Sequence, residues 1–148
     1  MMSSELYYRN AIKINASPTE VWHALIDPEK TAQYMFGCNV ISDWLVGNSV
    51  VWRGAADQVD YVAGTLTIFK PGSELAFTVF DPNGKYADLP ENYLTTHYIL
   101  ETKDADTLLH VSQGDYSKVN QGEERFKHNV SWDQVLQDLK NVVERGNH

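Results

Sequence analysis

Histidine, cysteine and the carboxylates are the side chains of this 148-residue sequence best suited to bind a metal or attack a substrate. The five histidines show no spacing typical of metal ligands. His97 and His110 come nearest to a pair because they fall on adjacent predicted strands, but alternation puts them on the face opposite Tyr98 and Val111. Cys38 is the only cysteine, which excludes a disulfide framework and a thiolate zinc site. We therefore expect no metal site.

Catalytic signatures are also missing from the sequence. It contains no H-E-x-x-H motif, glycine-rich phosphate loop or G-x-S-x-G elbow. A nucleophilic Cys38 would need an adjacent base, and the sequence indicates none. Five aspartates are candidates for acid–base chemistry, namely Asp43, Asp57, Asp60, Asp81 and Asp115. Most of them flank predicted turns, where carboxylates commonly cap the turn or face water. We expect no catalytic residue and no cofactor.

Aromatic side chains are the more promising feature, with four tryptophans, eight tyrosines and five phenylalanines. Trp44 and Trp52 fall on neighbouring predicted strands, and Trp132 falls on the last predicted helix. Aromatic walls suit an apolar ligand because they offer a large contact area with little flexibility. Two roles are open for these three residues, core packing and the lining of a cavity.

Side chains of the last two predicted strands alternate in the same way, so that every second residue faces the last helix. Gln113 is the polar member of that face, and a buried amide needs hydrogen-bond partners. Gln113 either orients a ligand or forms a hydrogen bond to the backbone at the edge of a strand. The same two roles are possible for Tyr98. The predicted ligand site comprises Trp44, Trp52, Tyr98, Leu100, Leu109, Val111, Gln113, Trp132 and Leu136.

Local patterns predict the elements that would position these residues. Ser17-Pro18 and Asp27-Pro28 each place a capping side chain before a proline at the first helical position. They predict two short helices, the second ending near Tyr34. Period-two alternation and turn residues predict strands over residues 7–16, 40–45, 49–54, 61–69, 75–80, 93–102 and 107–116. A helical apolar stripe predicts a long final helix starting near Gln121.

This order of elements predicts an α+β fold in which a curved antiparallel sheet of six to seven strands is covered by the C-terminal helix. A chain of 148 residues has the length of one domain, so we expect residues 1–148 to form it. Residues 81–92 form a long connection without periodicity, a length at which loops are usually functional or mobile.

Charge and composition exclude several classes of partner. Twelve basic residues against twenty acidic ones give a net charge of −8, which disfavours nucleic acid and anionic membranes. Residues 1–10 lack the pattern of a signal peptide, and no apolar run approaches the ~20 residues that span a bilayer. Together with the lone cysteine, this predicts a cytoplasmic protein.

Several motifs occur together in an order that is informative. They are residues 14–18 (INASP) with 21–25 (VWHAL), 42–44 (SDW), 51–54 (VWRG), 89–93 (LPENY) and the final helix with Trp132, Leu136 and Leu139. In this order they resemble the SRPBCC (START-like) superfamily, in particular its branch named after the activator of the heat-shock protein 90 ATPase. The resemblance implies a helix-grip fold with a deep cavity, whose members bind lipids, aromatic polyketides and other apolar molecules.

Three functions follow from this resemblance. The first is binding of a small apolar or amphipathic ligand without catalysis, which the missing acid–base set favours. The second is a cyclase or dehydratase that uses the same cavity, with Tyr98 and Gln113 as its polar groups. The third is a stress-response module that binds a chaperone. The eukaryotic co-chaperone has an additional N-terminal domain for which this chain has no room, so the third ranks below ligand binding.

Overall fold

The computed structural model of the chain describes residues 6–82, 89, 92–119, 122 and 131–145. Seven strands lie in this part: β1 (Tyr8–Ile14), β2 (Cys38–Ile41), β3 (Ser49–Gly54), β4 (Asp60–Lys70), β5 (Glu74–Val79), β6 (Leu94–Lys103) and β7 (Asp106–Gly114). Its helices are α1 (Pro18–Ile26), α2 (Pro28–Tyr34), α3 (Ser131–Arg145) and a short 3₁₀ helix (Tyr116–Lys118).

The strands form one antiparallel sheet in the order β1-β7-β6-β5-β4-β3-β2. The first strand therefore pairs with the last, in a register that runs from Tyr8↔Gln113 to Ile14↔Thr107. The sheet curls into a half-barrel, and its register shifts between β3 and β4 and between β4 and β5. The predicted α+β helix-grip architecture is confirmed.

The two short helices begin as their sequence signals predict. The Ser17 hydroxyl accepts a hydrogen bond from the Glu20 amide, and the Asp27 carboxylate accepts one from the Glu29 amide. Each bond satisfies one of the amides that the first turn of a helix leaves unpaired. In the capping box of α1, the Glu20 carboxylate accepts from the Ser17 hydroxyl. Both helices pack beside α3, which also contacts β1.

The core fills the space between the concave face of the sheet and these helices. Along β6 and β7 the inward residues pair across the strands, as with Tyr98↔Val111 and Leu100↔Leu109, and all four are buried. The apolar stripe of α3 belongs to the same core, with Val135, Leu136, Leu139, Val142 and Val143 buried. The stripe predicted from helical spacing is thus the face that packs on the sheet.

Some predicted bounds are wrong or lie outside the described residues. The strand predicted over residues 40–45 ends at Ile41, because the Ser42 hydroxyl and the Asp43 carboxylate accept hydrogen bonds from the amides of Trp44 and Leu45 and form a turn. The last predicted strand ends at Gly114 rather than residue 116. The helix start near Gln121 lies outside the described residues, as does most of the 81–92 connection.

None of the helices in the described part of the chain has the length and apolar character needed to cross a bilayer.

Candidate functional site

A cavity of about 480 Å³ lies between the curled sheet and the N-terminal end of α3. Trp52, Phe77 and Tyr98 contribute to its sheet wall, and Trp132 and Val135 form its helix wall. These side chains meet because strand alternation turns every second residue of the sheet towards the helix. The cavity predicted between the sheet and the C-terminal helix is therefore present, and its wall is mainly apolar.

Two loops border the cavity on its open side. Residues 35–37 follow α2 and residues 55–57 join β3 to β4, and all of them line the cavity. The Ala55 amide donates a 2.9 Å hydrogen bond to the Gly37 carbonyl, which ties one loop to the other. Phe36 keeps 73% of its surface exposed although it lines the cavity. The two loops therefore form the mouth, which we define as residues 35–37, residues 55–57 and Tyr61.

Four of the nine predicted ligand-site residues line this cavity. They are Trp52, Tyr98, Gln113 and Trp132, which belong to β3, β6, β7 and α3. The structure thus brings β3, the β6–β7 hairpin and α3 together at one site. Ligand contact by these residues remains a prediction.

The other five predicted residues do not line the cavity. Trp44 stacks on Phe69 at 5.7 Å, because the chain turns away from the sheet after Ile41. Leu100, Leu109, Val111 and Leu136 are buried in the core. Leu100 and Leu109 pair across β6 and β7, two strands that α1 also contacts. Leu136 follows Val135 on α3 and points about 100° away from it around the helix axis.

Other lining residues were not predicted. Phe77 lies on β5 and could have been found from its alternation with Leu75. Thr96 pairs with Gln113 across β6 and β7, and the hairpin register would have indicated it. No sequence pattern indicated the residues of the mouth, because only the tertiary fold brings its two loops together.

The amide of Gln113 connects the sheet with α3 at the inner wall. Its Nε2 donates to Thr96 Oγ1 at 2.9 Å, and its Oε1 accepts from Trp132 Nε1 at 3.0 Å and from the Tyr116 hydroxyl at 2.5 Å. All three of these bonds are to side chains. The hydrogen bond to Gln113 and the stacking on Tyr8, with ring centroids 5.8 Å apart, together hold the Trp132 indole in place.

Tyr98 is a buried polar residue of the cavity wall. The residue is 2% exposed and its ring lies between Phe77 and Trp132, at 6.3 Å from each. Its hydroxyl makes no hydrogen bond with any residue that the structure describes, and burial raises its pKa well above the ordinary value. The hydroxyl of buried Tyr34, by contrast, donates to the Ala24 carbonyl at 2.7 Å. Tyr98 therefore has a neutral hydroxyl, and the residue belongs to the cavity wall.

The mouth carries a carboxylate that stays charged. The Tyr61 hydroxyl donates a hydrogen bond to Asp57 Oδ2, and the Val59 amide donates one to Asp57 Oδ1 at 3.0 Å. The hydrogen bond from Tyr61, followed by that from Val59, lowers the pKa of Asp57. Burial, and then the Asp57 charge, raises the pKa of the Cys38 thiol, which also lines the cavity. Asp57 is thus an anion and Cys38 a neutral thiol at neutral pH.

The residues that the structure describes contain no group of three histidine, cysteine or carboxylate side chains placed to hold a metal. His97 bonds to Glu74 at 2.6 Å and His110 bonds to Glu101 at 3.0 Å. Both histidines lie on the face opposite Tyr98 and Val111, as predicted, and neither lines the cavity.

Comparison with known proteins agrees with this architecture. The model of the family "Activator of Hsp90 ATPase homolog 1-like protein" matches residues 15–144. No curated protein matches the sequence. Among solved structures, a protein from Cytophaga hutchinsonii is 31% identical, with a TM-score of 0.75 and 99% of each chain covered.

Two more distant structures share the fold. The Aha1 dimer from Colwellia psychrerythraea is 17% identical, with a TM-score of 0.72, 96% of this chain covered and 98% of that one. DynU16, a protein of the dynemicin biosynthetic locus, is 18% identical, with a TM-score of 0.73, 97% of this chain covered and 49% of that one. Because the family model spans most of the sequence, the chain belongs to the family of Activator of Hsp90 ATPase homolog 1-like proteins.

Proposed function

We propose that this domain binds a small apolar or amphipathic ligand in the cavity between the sheet and α3, without catalysis. The observation that carries the proposal is the cavity itself, whose volume of about 480 Å³ lies within the range of ~300–1,000 Å³ usual for small-molecule sites. Its wall combines large aromatic rings with a small number of polar groups, which is the usual make-up of such a site.

The titratable groups of the described wall support binding rather than acid–base chemistry. Cys38 and Tyr98 have raised pKa values and stay neutral, and neither is hydrogen-bonded to a base among the described residues. Asp57 is a charged carboxylate at the mouth, held by Tyr61 and Val59. A general acid or base works best with a pKa near the working pH, which none of these groups has.

A cyclase or dehydratase is the second candidate function, and Tyr98 is the observation that favours it. Its neutral hydroxyl could polarise a carbonyl of a bound substrate. DynU16, from a biosynthetic locus, has the same fold. A chaperone-binding module of the stress response ranks third, supported by the shared fold of the Aha1 dimer.

Ligand binding should raise the melting temperature, because a ligand that binds only the folded state stabilises it. At about 100 times its dissociation constant, a ligand contributes about 2.7 kcal/mol, which corresponds to roughly 5–10 °C for a domain of this size. A thermal-shift screen of flavonoids, polyketide-like aromatics and fatty acids measures this, with saturable changes in tryptophan emission as a second readout. A screen in which no compound shifts either quantity would move the chaperone-binding module to first place.

The Tyr98→Phe substitution tests the inner wall. We expect ligands that carry a hydroxyl or carbonyl group to bind roughly 2- to 12-fold more weakly, equivalent to about 0.5–1.5 kcal/mol for one hydrogen bond. The stability of the protein should not fall, because the removed hydroxyl has no partner among the described residues. Calorimetric titration and urea unfolding measure the two effects.

Tyr34→Phe is the matched control, since it removes the hydroxyl of another buried tyrosine. It should lower the free energy of unfolding by about 0.5–1.5 kcal/mol, because that hydroxyl bonds to the Ala24 carbonyl, and it should leave ligand affinity unchanged. Equal effects of the two substitutions on affinity would argue against a direct contact between Tyr98 and the ligand.

A further inference from the structure

We propose that the cavity selects amphipathic cations, such as protonated aromatic or aliphatic amines, and discriminates against ligands that end in a carboxylate or phosphate. The inference rests on the proposed ligand-binding function and adds the charge of the ligand. Asp57 is the single formally charged residue among the described residues that line the cavity.

The position of Asp57 sets where the charge of the ligand would lie. Asp57 is exposed and belongs to the mouth, whereas the inner wall is formed by apolar and neutral side chains such as Phe77, Tyr98 and Gln113. A ligand with its apolar body inside therefore presents its polar end to Asp57. An ammonium group there meets an opposite charge while it keeps part of its hydration.

Two aromatic residues of the mouth add to this selectivity. Phe36 is 73% exposed and Tyr61 is 45% exposed, and both line the cavity. The hydrogen bond from Ala55 to Gly37 joins the loop of Phe36 to the loop of Asp57. Cations are attracted to the faces of aromatic rings, so the same mouth offers a carboxylate and two rings to an ammonium group.

The described part of the cavity wall offers an anionic ligand no opposite charge. At the mouth it meets the like charge of Asp57, and no described lining residue is a lysine or arginine. Inside, a carboxylate would lose its hydration without gaining a charged partner from the lining residues that the structure describes. The net charge of −8 acts in the same direction over a longer range.

The test uses three ligands that share one apolar body, namely naphthylmethylamine, naphthylmethanol and naphthoate, titrated into the full chain by calorimetry. We expect the amine to bind roughly 2- to 5-fold more tightly than the alcohol, the range of an exposed ion pair. Naphthoate should bind at least about 5-fold more weakly than the alcohol. The advantage of the amine should shrink in high salt, because exposed charges are screened.

The Asp57→Asn variant should remove the difference in affinity between the amine and the alcohol, because it removes the charge that the ammonium group meets. Asp43→Asn is the matched control: Asp43 also accepts from the amide two residues later and from a side chain, Asn48, but it lies outside the cavity wall. It changes the net charge equally and should preserve the order of the three ligands.

Each result separates the two proposals. If none of the three ligands binds, the proposed binding function fails. If the alcohol binds and naphthoate binds as tightly as the amine, binding stands and the charge selectivity is overturned. Equal effects of Asp57→Asn and Asp43→Asn would also overturn it. If the Asp57→Asn variant does not fold, the test is the salt dependence of the affinities of the unsubstituted protein for the amine and the alcohol. A preference for the amine that does not change with salt concentration would refute the inference.

Discussion

The Trp132→Ala substitution is expected to lower the free energy of unfolding by about 3–5 kcal/mol, the usual loss for a buried tryptophan. Trp132 is 7% exposed, packs against Tyr8 and Tyr98, and donates its indole proton to Gln113. It therefore holds the first turn of α3 on the sheet at the edge of the cavity. The melting temperature should fall by roughly 6–20 °C, measured by calorimetry beside urea unfolding.

Two further variants separate packing from hydrogen bonding at this position. Trp132→Phe keeps a ring in the core but removes the donor to Gln113, so it should cost about 1–3 kcal/mol. Trp44→Ala removes a half-buried tryptophan outside the cavity and should cost less than Trp132→Ala. A loss below about 1 kcal/mol for Trp132→Ala would mean that this contact does not hold the helix to the sheet.

The short helices could be predicted closely because their signals are local. Ser17 and Asp27 act on amides two or three residues away, and each is followed by a proline whose missing amide proton is tolerated there. No contact with a distant part of the chain is needed to recognise this pattern. The second helix also ends at Tyr34, as predicted.

The second strand was predicted too long because its end depends on competition between side chains and the sheet. Residues 40–45 have the composition of a strand, yet Ser42 and Asp43 bond to the backbone two residues later. Such bonds offer the backbone an alternative to a strand ladder. Trp44 then adopts a positive φ of 61° and packs on Phe69 of β4. That contact joins residues 25 positions apart in sequence, so no local pattern indicates it.

Strand alternation predicts which face of the sheet is inside but not how deep the cavity extends. Tyr98 and Leu100 are two residues apart on the same face of β6, and only Tyr98 lines the cavity. Leu100 is instead buried in the core that the sheet shares with the helices, and α1 is one of the helices that contact β6. The positions of helices relative to the sheet follow from the whole fold, and the sequence alone did not reveal them.

The Gly64→Ala substitution should lower the free energy of unfolding by at least about 4 kcal/mol, which is in the upper part of the range expected for Trp132→Ala or beyond it. A Cβ atom on Gly64 would lie 1.7 Å from the carbonyl oxygen of Thr78 and 2.4 Å from its carbonyl carbon. These atoms belong to the backbone of β5 and cannot rotate away, so β4 and β5 would have to separate. Urea unfolding, or loss of soluble protein on expression, would reveal the effect.

This close approach also shapes the cavity. Ala63 and Phe80 exchange backbone hydrogen bonds beside it, and β4 carries Tyr61 and Val62 to the cavity wall. Any Gly64→Ala protein that folds should therefore bind cavity ligands more weakly than the unsubstituted protein. Gly72→Ala is the control, because that glycine has a positive φ of 80° with no atom near a Cβ, and it should cost about 1–2 kcal/mol without affecting binding. Comparable stability losses for the two alanine variants would mean that β4 and β5 do not come this close at Gly64.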